Sequence, residues 1–291
     1  MKFERHKLWG NTTWAYRLFR YHHIQLNKIY WSYAPVARDA LQRAHAEDPL
    51  VETKDFFSFH TADDLRVPHP LSKWEDAFKQ SQTWIRSSLV LVIASILEVY
   101  IRTVVSLALE SDPGLLIGSQ GVVDGVRLLK SDASYSYLKH GEECATGQWQ
   151  SRLDKYQRLF GTVPQDLKDS LNELEQLRKF RNGVGHTFGR DQGEYKSRLD
   201  VKPKELASLS EQRLKKWLGL AEKVVKAVDL HLGAHIGEYE TIYFYHSNIR
   251  KLPAHGHFTP ASRLSRELNL LHGHGPGKTF CKELIRYYEK L

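Results

Sequence analysis

From Ser72 to Glu110 neither proline nor glycine interrupts the chain, and between Leu89 and Ile101 nearly every residue is apolar. Val90, Val92, Ile93 and Ile96 are β-branched and favour strands, but strands rarely exceed about ten residues. Length therefore decides for a helix. Being apolar almost all round, it has no natural solvent face and is expected to be the central, most buried helix of a helical domain. Ser72-Lys73-Trp74-Glu75 fits a capping box at its start, where a serine hydroxyl and a glutamate carboxylate satisfy free amides. Ser111-Asp112-Pro113-Gly114 ends it.

Further helical segments follow. Gln148 to Phe160 reads as helix, Pro164 suits the first turn of the next one, and Ser208-Leu209-Ser210-Glu211 offers a second capping box. Beyond it, Leu214, Trp217, Leu218, Ala221, Val225, Val228 and Leu232 recur at helical spacing. Four substantial helices predict an all-α, up-and-down bundle over residues 72–235. The glycine-spotted residues 115–146 hold a short helix around Val122 to Lys130. Residues 1–71 form a basic-aromatic helical extension, in which Pro35 stops a first helix, residues 36–47 make a second, and prolines at 49, 68 and 70 mark a linker. Residues 236–291 are expected as a small mixed extension. Its strand is Thr241 to His246, with Ile242, Tyr243, Phe244 and Tyr245 in succession, and its two helices run from Thr259-Pro260 to Leu271 and from Phe280 to Leu291.

The 291 residues are 41% hydrophobic, enough for a real core, and carry a formal net charge of +8. That balance favours an anionic partner. Cys144 and Cys281 fit no paired spacing, which argues against a disulfide framework and for a reducing compartment. The longest uncharged apolar run, Ser87 to Leu97, is short of the roughly 20 residues that span a bilayer, and Met1 to Lys7 lead into no apolar signal core. The expectation is a soluble cytoplasmic protein without membrane contact.

The run Leu177-Arg178-Lys179-Phe180-Arg181-Asn182-Gly183-Val184-Gly185-His186 carries the chemistry. Arginine is permanently charged and forks onto phosphate oxygens, while histidine exchanges protons near neutrality. On a helical wheel, Leu167, Leu171, Leu174 and Leu177 form one apolar stripe, and Arg181 falls inside it. A charge there needs a partner, a cleft or an interface. Gly183 and Gly185 each weaken a helix by roughly 1 kcal/mol relative to alanine, a reason for the last turn to fray. In a continuing helix, Asn182 and His186 lie four apart on one face, and the asparagine can orient the imidazole.

This stretch resembles the HEPN superfamily of all-helical domains, whose signature is an arginine, usually a polar residue next, and a histidine after a four- to six-residue spacer. Arg181, Asn182 and His186 match it with the four-residue spacer, and the likeness extends over roughly residues 72–235. The resemblance implies an endoribonuclease using neither metal nor cofactor. RNA would supply its own 2′-hydroxyl nucleophile, leaving 2′,3′-cyclic phosphate and 5′-hydroxyl ends, with His186 as general acid or base, Arg181 neutralising the transition state and Asn182 orienting. It implies a homodimer pooling both motifs in one cleft, and a toxin or antiviral defence effector with an antitoxin or regulatory protein as partner. The alternative it leaves open is a catalytically inactive module that binds RNA or protein.

Supporting candidates are Glu98, Arg102 and Arg178. Glu98 either pairs with Arg102 one turn later or faces Arg181. Arg17, Arg20 and Lys28, interleaved with Trp14, Tyr16, Phe19, Tyr21, Tyr30, Trp31 and Tyr33, are the candidate RNA-binding cations; the competing reading docks those rings on the main domain. His231 and His235, His255 and His257, and His272 and His274 bring no accompanying glutamate motif and read as solvated or helix-end residues. No metal site is expected. The phosphate-loop lookalike His272 to Thr279 has histidine where its first glycine belongs.

Overall fold

A computed structural model of the chain describes residues 2–59, 64–133, 136–187, 207–252, 259–272 and 275–291, with the backbone alone at 186, 187 and 272. The helices are α1 (Trp14–His45), α2 (Thr53–Phe57), α3 (Leu71–Ser111), α4 (Gly125–Lys130), α5 (Leu138–Ala145), α6 (Trp149–Phe160), α7 (Gln165–Asp169), α8 (Leu171–Thr187), α9 (Glu211–Ile236), α10 (Tyr239–Phe244), α11 (Pro260–His272) and α12 (Lys278–Lys290). Among the described residues there is no strand, so the protein is all-α.

Two compact units emerge, neither a contiguous stretch of chain. The larger comprises Met1–Arg20, Ile96–Glu175 and Ala221–Leu291. Its core includes Val104, Val105, Ala108 and Leu109 from α3, Val224, Val225, Val228 and Leu232 from α9, and Leu264, Leu268, Phe280 and Leu284 from α11 and α12. The smaller comprises Tyr21–Ser95 and Gln176–Leu220, with Leu26, Tyr30, Ala37, Leu89, Val90, Ile93, Leu177, Leu214 and Trp217 buried.

All seven residues of the stripe expected on α9 are buried, because a helix that repeats apolar residues every three to four positions can only satisfy them on one packed face. On α3, burial is extensive but not all round. Val92 and Val99 are 42% and 52% exposed, and Trp84 is also open, so one face lacks cover among the described residues. By length and composition α3 is also the one described helix able to cross a membrane, and half of its most apolar window is buried within the protein.

Three local expectations are overturned. Thr241 to His246 is helical, not extended. Buried Tyr239, Ile242, Tyr245, His246 and Ile249 follow a helical period, while Tyr243 between them is 48% exposed; the unbroken aromatic run concealed that spacing. Pro35 lies inside α1 rather than ending it. A proline within a helix costs about 3 kcal/mol or more, and here Tyr30, Ala34, Ala37, Ala40 and Ala44 are all buried along the same helix, offsetting that cost. Both capping boxes shift. Leu71 begins α3, ahead of Ser72, and at α9 the hydroxyl of Ser210, not Ser208, accepts from the Arg213 amide at 3.2 Å.

The N-terminal residues are woven into the larger unit. Arg5 is 6% exposed; its guanidinium donates to the Ile236 carbonyl at 2.8 Å, to Ser111 Oγ at 2.8 Å and to Asp124 Oδ1 at 2.9 Å. The turn between α9 and α10 accommodates that strand of chain through Gly237, whose φ is +49° and whose missing Cβ would fall 2.2 Å from the Arg5 carbonyl oxygen. Thr13 caps α1 by accepting from the Tyr16 amide at 3.0 Å, and Asp229 accepts in turn from the Thr13 amide and hydroxyl. Nearby Glu240 accepts from the Trp14 amide at 2.8 Å.

These contacts generate two predictions. Arg5→Ala should destabilise the fold by about 2 to 4 kcal/mol, because it strands half-buried Asp124 and the freed buried carbonyls; a urea midpoint within error of wild type would refute this. Burial pushes the Glu240 carboxyl up to about 8, against its amide bonds from Trp14 and Ala15. A carboxyl raised in the native state contributes fully below the ordinary carboxylate range and loses that contribution as pH rises toward 8. The melting temperature should therefore be higher at about pH 5 than at about pH 9, and Glu240→Gln should flatten the difference.

Candidate active site

The arginine–histidine motif occupies the last turns of α8. Leu174, Leu177 and Val184 of this helix are buried, and Arg181 occupies the fourth position of the same stripe, half-buried rather than sealed. Its Nη1 donates to Asn182 Oδ1 at 3.1 Å. Despite Gly183 and Gly185 the helix continues through Thr187, so the fraying expected of two glycines does not occur. Asn182 and His186 therefore stand one turn apart on the backbone, about 40° around the helix axis. The side chain of His186 lies outside the described residues.

What keeps the glycine turn helical is its surroundings in the smaller unit. A Cβ on Gly185 would sit 3.4 Å from Leu91 Cδ2, so α8 runs close beside α3 there. One turn earlier, the Phe180 ring is 5.3 Å from the Trp217 ring, and Arg213 lies 4.9 Å from the Trp217 centroid while donating to Gln176 Oε1. Arg213 is a cation of this region that the sequence reading missed. The signal was present, since Arg213 lies four residues before Trp217, a spacing that brings side chains together on a helix.

Glu98 has a partner that neither expectation named. Glu98 accepts from Arg152 Nη2 at 3.1 Å, and Arg152, only 3% exposed, also donates to the Gly147 carbonyl and lies 4.5 Å from the Trp149 ring centroid. A guanidinium sealed to that degree requires a carboxylate, and Glu98 supplies it. Arg102 lies 4.0 Å from Glu142. Arg178 is half-buried on α8.

Of the proposed RNA-binding cations, Arg20 and Lys28 face solvent. Arg17 does not. Its guanidinium donates to the Trp9 carbonyl at 2.8 Å and to Thr12 Oγ1 at 3.2 Å and lies 5.2 Å from the Trp9 ring centroid, so it fastens the turn ahead of α1. Tyr16, Phe19 and Tyr30 are buried and offer no ring face to a base, whereas Tyr21 is 59% exposed. The docking alternative describes most of this segment.

His231 is held by the Tyr156 hydroxyl at 2.7 Å and by Thr162 Oγ1 at 3.1 Å, and burial lowers its pKa, with His235 adding to the effect. His235 Nδ1 lies 3.6 Å from Asp112. Both are packed side chains rather than solvated ones. His255, His257 and His274 lie outside the described residues, as does the side chain of His272. Both cysteines are buried and free, and burial pushes each thiol up to about 12. Among the described residues, no group of three or more His, Cys, Asp or Glu side chains is placed to hold a metal ion. No protein-family model, no curated protein and no solved structure matches the chain.

The geometry of the glycine turn is itself testable. A Cβ added to Gly183 meets nothing within 4 Å, and at Gly185 it meets only ordinary contact. Gly183→Ala and Gly185→Ala should each stabilise the protein by about 0.5 to 1 kcal/mol in denaturant titrations. Clear destabilisation by either would mean that α8 does not run helically through its glycines.

Proposed function

We propose that the chain is a metal-independent endoribonuclease of the HEPN type, acting in the cytoplasm as a toxin or defence effector. The observation that carries this reading is Arg181 on the buried stripe of α8, half-exposed between Leu177 and Val184, with Asn182 beside it and His186 one turn on. Charge supports it further. Residues 176–187 and 211–220 contain Arg178, Lys179, Arg181, Arg213, Lys215 and Lys216 against one carboxylate, Glu211, a local excess suited to a phosphodiester.

In this mechanism the 2′-hydroxyl of RNA attacks the adjacent phosphorus. His186 takes the hydroxyl proton or protonates the departing 5′-oxygen. Arg181 neutralises the charge that builds on the non-bridging oxygens, where a forked cation gains most. Asn182, one turn from the histidine, orients the ring. The nucleophile is already tethered beside its target, so positioning supplies much of the rate. A symmetric dimer that pools two copies of the motif supplies base and acid together, and an antitoxin-like protein is the class of partner that would restrain it.

The decisive experiment incubates purified protein with mixed single-stranded RNA in excess EDTA. Cleavage is expected, with 2′,3′-cyclic phosphate ends, and a 2′-deoxy substitution at the cut site should block it. His186→Ala and Arg181→Ala should each lower the rate by roughly 10² to 10⁴ without unfolding the chain. RNA binding without cleavage would favour the inactive binding module. Strict dependence on a divalent ion would remove the mechanism.

A further inference from the structure

Within the larger unit, a cavity of about 310 Å³ opens where the end of α3, the end of α4 and one face of α10 meet. That volume lies at the small end of the range for ligand pockets. Its lining includes Tyr137, Tyr239 and Tyr243 together with Leu128 and Leu129. The polar side chains among them are Glu110, in the last turn of α3, with Asp132, His246 and Ser247.

Glu110 is badly placed for its own helix. The C-terminal turn carries a partial negative charge and disfavours a carboxylate. The side chain is half-buried, and it has no hydrogen bond or ion partner among the described residues. Burial alone raises its pKa, with no cation opposing that effect. The nearby cations are engaged elsewhere. Arg5, which lies 5.7 Å from the Tyr239 ring centroid, spends its N–H groups on Asp124, Ser111 and Ile236. Lys130 donates to the Glu289 carbonyl, and Arg250 donates to the Tyr288 hydroxyl. His246, at the cavity edge, is bonded through Nδ1 to Tyr288 and through Nε2 to Asp132.

The site is also built to persist. Gly125, on its wall, allows α4 to seat directly against the end of α3, since a Cβ there would fall 1.7 Å from the Glu110 carbonyl oxygen. An unpartnered, half-buried carboxylate held among tyrosine side chains presents a field that repels anions and attracts a cation.

The geometry points to a binding site for a small organic cation, an alkyl- or methylated ammonium, ion-paired with Glu110 and enclosed by Tyr137, Tyr239 and Tyr243. The cation would supply the charge that Glu110 lacks, and its alkyl groups would rest on the rings and on Leu128 and Leu129. An anionic or purely apolar ligand would leave the carboxylate uncompensated. The assignment is independent of the ribonuclease reading, since it uses none of the same residues.

The test uses the full chain, with choline and tetramethylammonium chloride as probes and 3,3-dimethylbutan-1-ol as the neutral isostere of choline, read by calorimetry and by tyrosine fluorescence. Saturable binding of the ammonium probes in the micromolar to low millimolar range is expected, with no saturation by the alcohol. Glu110→Gln should weaken binding at least about tenfold. It should also melt no lower than wild type, because the change removes an unpaired charge. Tyr243→Ala, at an exposed ring, tests the wall without loss of core and should weaken binding several-fold. Three results would each overturn the assignment: no saturable ammonium binding in the millimolar range, equal binding of the alcohol, or folded Glu110→Gln and Tyr243→Ala variants that both bind as wild type.

Discussion

The larger unit is organised around one buried cation. Arg5 reaches the Asp124 carboxylate at the start of α4, the Ser111 side chain at the end of α3 and the Ile236 carbonyl at the end of α9. Asp124 in turn caps α4 through the Val126 amide at 3.0 Å and accepts from the Tyr287 hydroxyl of α12. One guanidinium thus ties three helix ends together, and its bond to the Ile236 carbonyl satisfies an acceptor of the kind that a helix C-terminus leaves unpaired. The arrangement also holds the Asp124 carboxyl below its ordinary range, through the Arg5 charge and the Tyr287 and Val126 bonds that together outweigh burial. Four elements distant in sequence depend on an interaction whose partners are 119 residues apart.

A second consequence follows from how the N-terminal residues are held. The amides at the start of α1 are met by carboxylates from α9 and α10, Asp229 and Glu240, and not only by the hydroxyl of Thr13. Tyr100 of α3 donates to the same Asp229 oxygen that takes the Thr13 hydroxyl. Acidic groups near a helix N-terminus are favoured by its dipole, yet burying several together in low dielectric is costly, and burial raises Asp229, Glu238 and Glu240 alike. Burial therefore favours the protonated form of each carboxyl in the folded state. Local order and titration are coupled in the same few side chains.

Periodic features were legible in the sequence. The α9 stripe, the existence and approximate bounds of α3, α6, α11 and α12, and the position of Arg181 on the buried stripe of α8 all follow from spacing that a single helix imposes. Features that depend on distant residues were not. Arg152 against Glu98, Arg5 against Asp124 and Arg17 against the Trp9 carbonyl each join positions with no local signature. The α10 error has the same origin. Four apolar residues in a row fit a strand as well as a buried helix, and only tertiary packing chooses between them. Pro35 misled because local propensity forbids what burial on α1 sustains. Within the candidate site, the residue types and their order on α8 were readable, while the closeness of Leu91 and the Trp217–Arg213 cluster was not.

Three buried or half-buried arginines place a permanent charge in different settings. Arg5 and Arg152 are 6% and 3% exposed, and each is matched by a carboxylate, so their charge is absorbed into the fold. Arg181 stands half-exposed in a segment where residues 176–187 carry three cations and no carboxylate. The helix tolerates this because its C-terminal turns favour cations, so a basic cluster there costs less than it would at the opposite end. A positive, partly desolvated helix end strengthens attraction for a phosphate relative to open water. The same dipole argument makes Glu110 at the end of α3 an anomaly, since a carboxylate there stands at the negative end of its own helix.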